Sequence, residues 1–107
     1  MAFAENLKQL PKVSHLAALQ LLGADGTVIA TIENKPGQTG SLAVYNHLAQ
    51  LHGAITVDAA RKGLELYAEH TIDAQAHPGK HPNIDRLVTL VTEGGQLRVK
   101  QVFAAGE

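Results

Sequence analysis

The sequence predicts an α+β domain of two layers: a three-stranded, mainly antiparallel sheet with helices packed on it, in the order αββαααβ. Three observations carry this expectation. Two apolar runs flank Gly23, Ala24, Asp25 and Gly26, an Asp-Gly turn of the kind that joins hairpin strands. Three stretches between residues 41 and 93 then repeat apolar side chains at helical spacing, each behind a capping residue. Finally Leu97, Val99 and Phe103 form a closing strand, with Arg98 and Lys100 pointing out.

Taken in order, Phe3, Leu7 and Leu10 fall three to four residues apart and predict a short amphipathic helix ended by Pro11. The first strand, 15–22, hardly alternates, which is the pattern of a strand covered on both faces. In the second, 27–33, Val28, Ala30 and Ile32 alternate with Thr27, Thr31 and Glu33, so one face is wet. Ser41 is read as the cap of a helix running to about residue 52, with Leu42, Tyr45, Leu48 and Leu51 inward and Gly53 closing it. Thr56 caps the next helix, which has Asp58 in its first turn and Val57, Ala60, Leu64, Tyr67 and Ala68 as its stripe, and which fades near 73–76. Arg61 and Glu65 are spaced to pair weakly on its solvent side. Asn83 caps the last helix, with Ile84, Leu87, Val88 and Val91 inward, and Gly94 and Gly95 stop it. The outer face of the sheet still presents Leu16, Ala18 and Leu22. Either the N-terminal helix covers them or a second copy does, as a homodimer.

At 107 residues the chain makes one domain, 1–107, large enough for a core without staples. Its only aromatic residues are Phe3, Tyr45, Tyr67 and Phe103, so the core is aliphatic. With a net charge of -1 and nine scattered Lys and Arg, the chain lacks the basic patch that nucleic acid or an anionic membrane requires. The absence of cysteine excludes disulfides, thiolate metal sites, cysteine nucleophiles and iron–sulfur clusters. No stretch approaches the ~20 apolar residues of a membrane span. Residues 1–8 lack the basic start and apolar run of a signal peptide, so the expected compartment is the cytoplasm. No cofactor is implied.

Chemistry concentrates in residues 69–86, which hold three of the six histidines and two of the four prolines. His70, Asp73 and His77 are spaced three and then four apart, so a helix reaching residue 77 brings all three within reach of one metal ion. Pro78 biases His77 out of helical geometry, and with Gly79 and Pro82 it rules out a two-histidine helical motif using His81. His77, His81, Asp85 and Arg86 are the remaining candidate polar ligands. The plainer reading is turn punctuation: His-Pro and Pro-Gly end one helix and begin the next.

Residues 34–41 form a second candidate. The loop joins a strand to a helix, and Gly37 and Gly40 let backbone amides approach a ligand. Lys35 and the helix start at Ser41 suit a phosphate or carboxylate. The loop lacks the lysine of a Walker A motif, and Pro and Gly setting a turn explain it equally well. Ser41 reads as a cap rather than a nucleophile, because no Gly-x-Ser-x-Gly elbow surrounds it.

Two segments, Thr31-Ile32-Glu33-Asn34-Lys35-Pro36-Gly37-Gln38-Thr39-Gly40-Ser41-Leu42-Ala43-Val44-Tyr45 and His77-Pro78-Gly79-Lys80-His81-Pro82-Asn83-Ile84-Asp85-Arg86-Leu87, resemble a small bacterial family of uncharacterised single-domain proteins, a domain of unknown function. The resemblance runs over nearly the whole chain. It implies a bacterial, cytosolic, single-domain protein and brings no activity, cofactor or partner, so no functional residue is carried over from it.

The expected function is a binding or interaction module without catalytic activity, directed at an unknown protein or a small anionic ligand. The alternative is a small enzyme or metal- or anion-binding protein whose site brings the 35–41 loop together with the 70–86 segment.

Overall fold

The computed structural model describes residues 2–105; Met1, Gly106 and Glu107, which the single-domain reading of 1–107 includes, lie outside the described residues. The elements are α1 (Phe3–Lys8), β1 (Leu16–Leu22), β2 (Val28–Glu33), α2 (Thr39–His52), α3 (Val57–Tyr67), α4 (Glu69–Ala76), α5 (Pro82–Glu93) and β3 (Arg98–Phe103). The order is the expected αββαααβ, with the long middle helix divided at Ala68 into α3 and α4. The strands form one antiparallel sheet in the order β2-β1-β3.

β1 is central, and an irregularity against β3 decides which of its side chains reach the core. One against β2 places an extra residue, Ile29, on β2, which turns Val28 to the outer face, away from Ala30 and Ile32. The ladder with β3 shifts between Leu16 and Ala18, and the ladder with β2 shifts between Leu21 and Leu22. Leu19 and Leu21, opposite Ile32 and Ala30, face the helices and are fully buried. The shift beside Ala17 returns Leu16 to that side as well, so Leu16 belongs to the core and not to the outer face. The outer face carries Ala18, Gln20 and Leu22, paired with Glu33, Thr31 and Val28 of β2 on one side and with Val102, Lys100 and Arg98 of β3 on the other.

α1 does not cover that face. It packs on α3 and α2 in the helical layer. Phe3 stacks on Tyr67 with ring centroids 5.3 Å apart, and Asn6 Nδ2 donates to the Leu66 carbonyl at 2.9 Å. An amphipathic stripe specifies that a helix must bury one side, and the partner surface here is aromatic.

The helix starts also differ from the expected caps. α2 begins at Thr39, so Ser41 lies inside its first turn. α5 begins with Pro82, whose missing N–H costs nothing at that position, and Asn83 is already helical. Thr56 does cap α3, its Oγ1 accepting from Ala59 N at 3.1 Å, and Gly53 ends α2 at φ 78°. On α2 the inward face is Leu42, Val44, Tyr45, Asn46 and Leu48, leaving Leu51 61% exposed. Arg61 pairs with Asp58 rather than Glu65.

At Ala68 the backbone turns to φ 52°, the only positive value among the described non-glycine residues. The carbonyls this break strands at the end of α3 are still satisfied: Thr71 Oγ1 donates to Leu64 O at 2.6 Å, and Asn6 to Leu66 O.

Candidate functional site

A cleft of about 700 Å³ opens where α1, the start of α2, the α3–α4 break and the start of α5 meet. Its walls bring together both segments singled out from the sequence. Gly37, Gly40 and Ser41 contribute from the first, and His70, His81 and Arg86 from the second. Lys35, His77 and Asp85 lie outside its lining.

Local chemistry explains each placement. Asn34 ties the 34–39 loop down: its Nδ2 donates to the carbonyls of Val13 and Leu16, while its Oδ1 accepts from Thr39 Oγ1. Gln38 Oε1 accepts the outward N–H of Glu33 at 3.0 Å, which docks the loop on the β2 edge. Lys35 is drawn to Glu33 at 3.5 Å on the surface. Among the described residues, the first-turn N–H groups of Gly40 and Ser41 have no backbone acceptor. They give the cleft wall the partial positive charge of a helix N-terminus. Tyr67 donates its hydroxyl to Ser41 Oγ at 2.7 Å, and burial pushes that phenol's pKa upward, so it stays a neutral donor.

On the opposite wall Arg86 is held from two sides. Its Nη1 donates to Asn83 Oδ1 at 2.8 Å and to the Tyr45 hydroxyl at 3.1 Å. Tyr45 donates in turn to the Asn83 carbonyl at 2.6 Å, and burial pushes its hydroxyl up to about 12 against the pull of Arg86. Asp85 serves the turn before α5, its Oδ2 accepting from Gly79 N at 2.9 Å.

Asp73, itself outside the lining, engages Lys80, His81 and, at longer range, His77. Its Oδ2 accepts from His81 Nε2 at 2.6 Å and pairs with Lys80 at 3.0 Å, while Oδ1 lies 3.8 Å from His77. The His81 hydrogen bond, followed by that of Lys80, holds its pKa down to about 2. His70 instead meets Phe3 edge-on at 5.0 Å. Among the described residues, no three His, Asp or Glu side chains converge as a metal-holding group. Asp73 is thus engaged by Lys80 and His81, with His77 at longer range and His70 turned to the aromatic wall.

Sequence reasoning missed Lys80, Phe3 and Tyr67 as cleft residues. Lys80 lies inside the segment already flagged, between His77 and His81, and a count of cations there finds it. The two aromatic residues carry no such signal, because helical spacing reads them as core.

The cleft therefore presents Arg86, Lys80 and two imidazoles, His70 and His81, with no carboxylate among its lining residues; Asp73, the partner of Lys80 and His81, lies outside that lining. Such a surface favours a negatively charged ligand. A family model described as an uncharacterized protein conserved in bacteria (DUF2322) matches residues 3–101. Neither a curated protein nor a solved structure matches the chain.

Proposed function

We propose that this chain, which belongs to the DUF2322 family of uncharacterised proteins conserved in bacteria, is a binding module whose cleft takes a small anionic ligand. One observation carries the reading: Arg86, bonded only to Tyr45 and Asn83 among the described residues, faces a cleft with no Asp or Glu among its lining, while Lys80 and His81 are shared with Asp73 outside it. The unbonded N–H groups of Gly40 and Ser41 add donors of the same sense. Arg86 is preorganised by Tyr45 and Asn83, which lowers the entropy lost on binding.

Titration of the full chain with inorganic phosphate, followed by amide-proton NMR, tests this. Saturable shifts at residues 37–41 and 80–86 are expected, and Arg86→Gln weakens them. A spectrum unchanged at millimolar phosphate and at low ionic strength sinks the reading.

A second reading, a small enzyme, has one observation in its favour. His81, hydrogen-bonded to Asp73 at 2.6 Å, stands on the cleft wall as a general base would. Conversion of a bound ester that is lost in His81→Gln while phosphate binding survives would select it.

The proposed compartment is the cytoplasm. The proposed assembly is a homodimer through the outer sheet face, where Ala18 pairs with Glu33 at one end of β1 and Leu22 pairs with Arg98 at the other. A two-fold copy can place those opposite charges against each other. Sedimentation at micromolar concentration that gives the mass of one protomer removes the dimer.

A further inference from the structure

Four rings line the cleft in an unbroken series. Tyr67 lies parallel to Phe3 at 5.3 Å and 17°, Phe3 meets His70 edge-on at 5.0 Å and 88°, and His70 stands 5.8 Å from His81 at 55°. Phe3 and Tyr67 are two of the four aromatic residues in the whole chain, and both lie on this one wall. Leu7 and Ile84 continue it with aliphatic surface. The cations and the α2 amides belong to the same cavity, so one ligand of modest size touches both kinds of surface. A hydrated inorganic ion would leave the ring series unused.

Resting on the anion reading, we infer that the ligand is an aromatic anion: a flat ring bearing a phosphate or carboxylate. Its charged group sits toward Arg86, Lys80 and the Gly40 and Ser41 amides, and its ring packs against Phe3 and His70. The aromatic wall prefers a flat partner because ring quadrupoles reward edge-to-face and offset stacking, which an alkyl chain of equal area does not offer. The close fit of α1 keeps that wall in place, for a Cβ added at Gly40 would lie 3.2 Å from the Phe3 ring.

The test compares inorganic phosphate, butyl phosphate, phenyl phosphate and benzoate by calorimetric titration of the full chain. Phenyl phosphate is expected to bind at least about tenfold tighter than inorganic phosphate and also tighter than butyl phosphate. Benzoate distinguishes a carboxylate from a phosphate as the charged group. Phe3→Leu is expected to bring the affinity for phenyl phosphate down to that for butyl phosphate. Because that variant can disturb α1, ring-proton NMR of the unaltered protein gives an independent reading, with Phe3, Tyr67 and His70 shifting with phenyl phosphate and not with butyl phosphate. Equal affinity for phenyl, butyl and inorganic phosphate overturns the inference while leaving the anion site standing. Failure of every probe to bind overturns the anion reading itself.

Discussion

Arg86 keeps its position in the cleft through Tyr45, whose buried hydroxyl accepts from Nη1 at 3.1 Å while the guanidinium lies 5.7 Å from the ring centroid. The same hydroxyl donates to the Asn83 carbonyl, so one phenol fixes both the cation and the first turn of α5. Tyr45 is fully buried on α2, which makes the core and the site share a residue. Removing the hydroxyl with Tyr45→Phe takes one donor from the Asn83 carbonyl and releases one contact to Arg86. The expected loss is about 1–2 kcal/mol of stability. Phosphate affinity falls in step, because Arg86 must then be ordered on binding. Urea denaturation and calorimetric titration of the two proteins check both parts, and an unchanged affinity would mean that Asn83 alone positions the guanidinium.

The Asp73 carboxylate gives the fold a defined acid response. Its pKa in the folded chain is depressed to about 2 by His81 and then Lys80, against an unfolded value near ~3.9. A depressed carboxylate stabilises the fold fully above its unfolded pKa and loses that contribution as pH falls through the folded one. The window is therefore about pH 4 down to 2. Asp73→Asn is expected to lower the denaturation midpoint at pH 6, and the two proteins should converge as pH approaches 2. A constant difference across that range would place the effect in packing rather than ionisation.

The break at Ala68 marks where local sequence stops being informative. Alanine is the best helix former, and residues 66–71 hold no glycine or proline, so periodicity runs straight through the point where α3 ends. What holds the break is partly remote: the side chain of Asn6 reaches Leu66 O across 60 residues. The hairpin turn, Thr56 and Gly53 were legible because their signals are confined to one turn of chain. α1 was legible as a helix but not in its location, since its stripe states only that something covers it. The site divides in the same way. Composition drew attention to the 35–41 and 70–86 segments, while the departure of Lys35 toward Glu33 and of Asp85 toward Gly79 follows from partners visible only after folding.

Positive φ at Ala68 carries a steric cost that glycine escapes. With φ 52° and ψ -116°, an L side chain is strained by roughly 1–3 kcal/mol. Ala68→Gly relieves that strain but gives the unfolded chain more freedom, an opposing term of up to about 1 kcal/mol. The net expectation is a stabilisation of up to about 1–2 kcal/mol. Thermal melts of the two proteins decide the sign, and a destabilised glycine variant would show that the unfolded-state entropy outweighs the strain.

Gly63 poses the opposite substitution. It lies inside α3, where glycine costs about 1 kcal/mol relative to alanine. The reason for a glycine there is contact: an added Cβ would fall 2.7 Å from Leu87 Cδ1 and 2.9 Å from Leu48 Cδ1. Both are methyl ends, which ordinarily swing aside, but Leu48 and Leu87 are each fully buried and their neighbours leave little room. Overpacking of this kind costs about 1–3 kcal/mol, so the propensity gain is outweighed in most of that range. Gly63→Ala is expected to destabilise by up to about 2 kcal/mol. Combining it with Leu87→Val, which withdraws the clashing methyl, should recover part of the loss, since contacting sites couple. Chemical denaturation of both single variants and the double variant measures that coupling. Strict additivity would mean that the α3–α5 contact relaxes elsewhere, and that Gly63 does not set the close approach of α3 to Leu87.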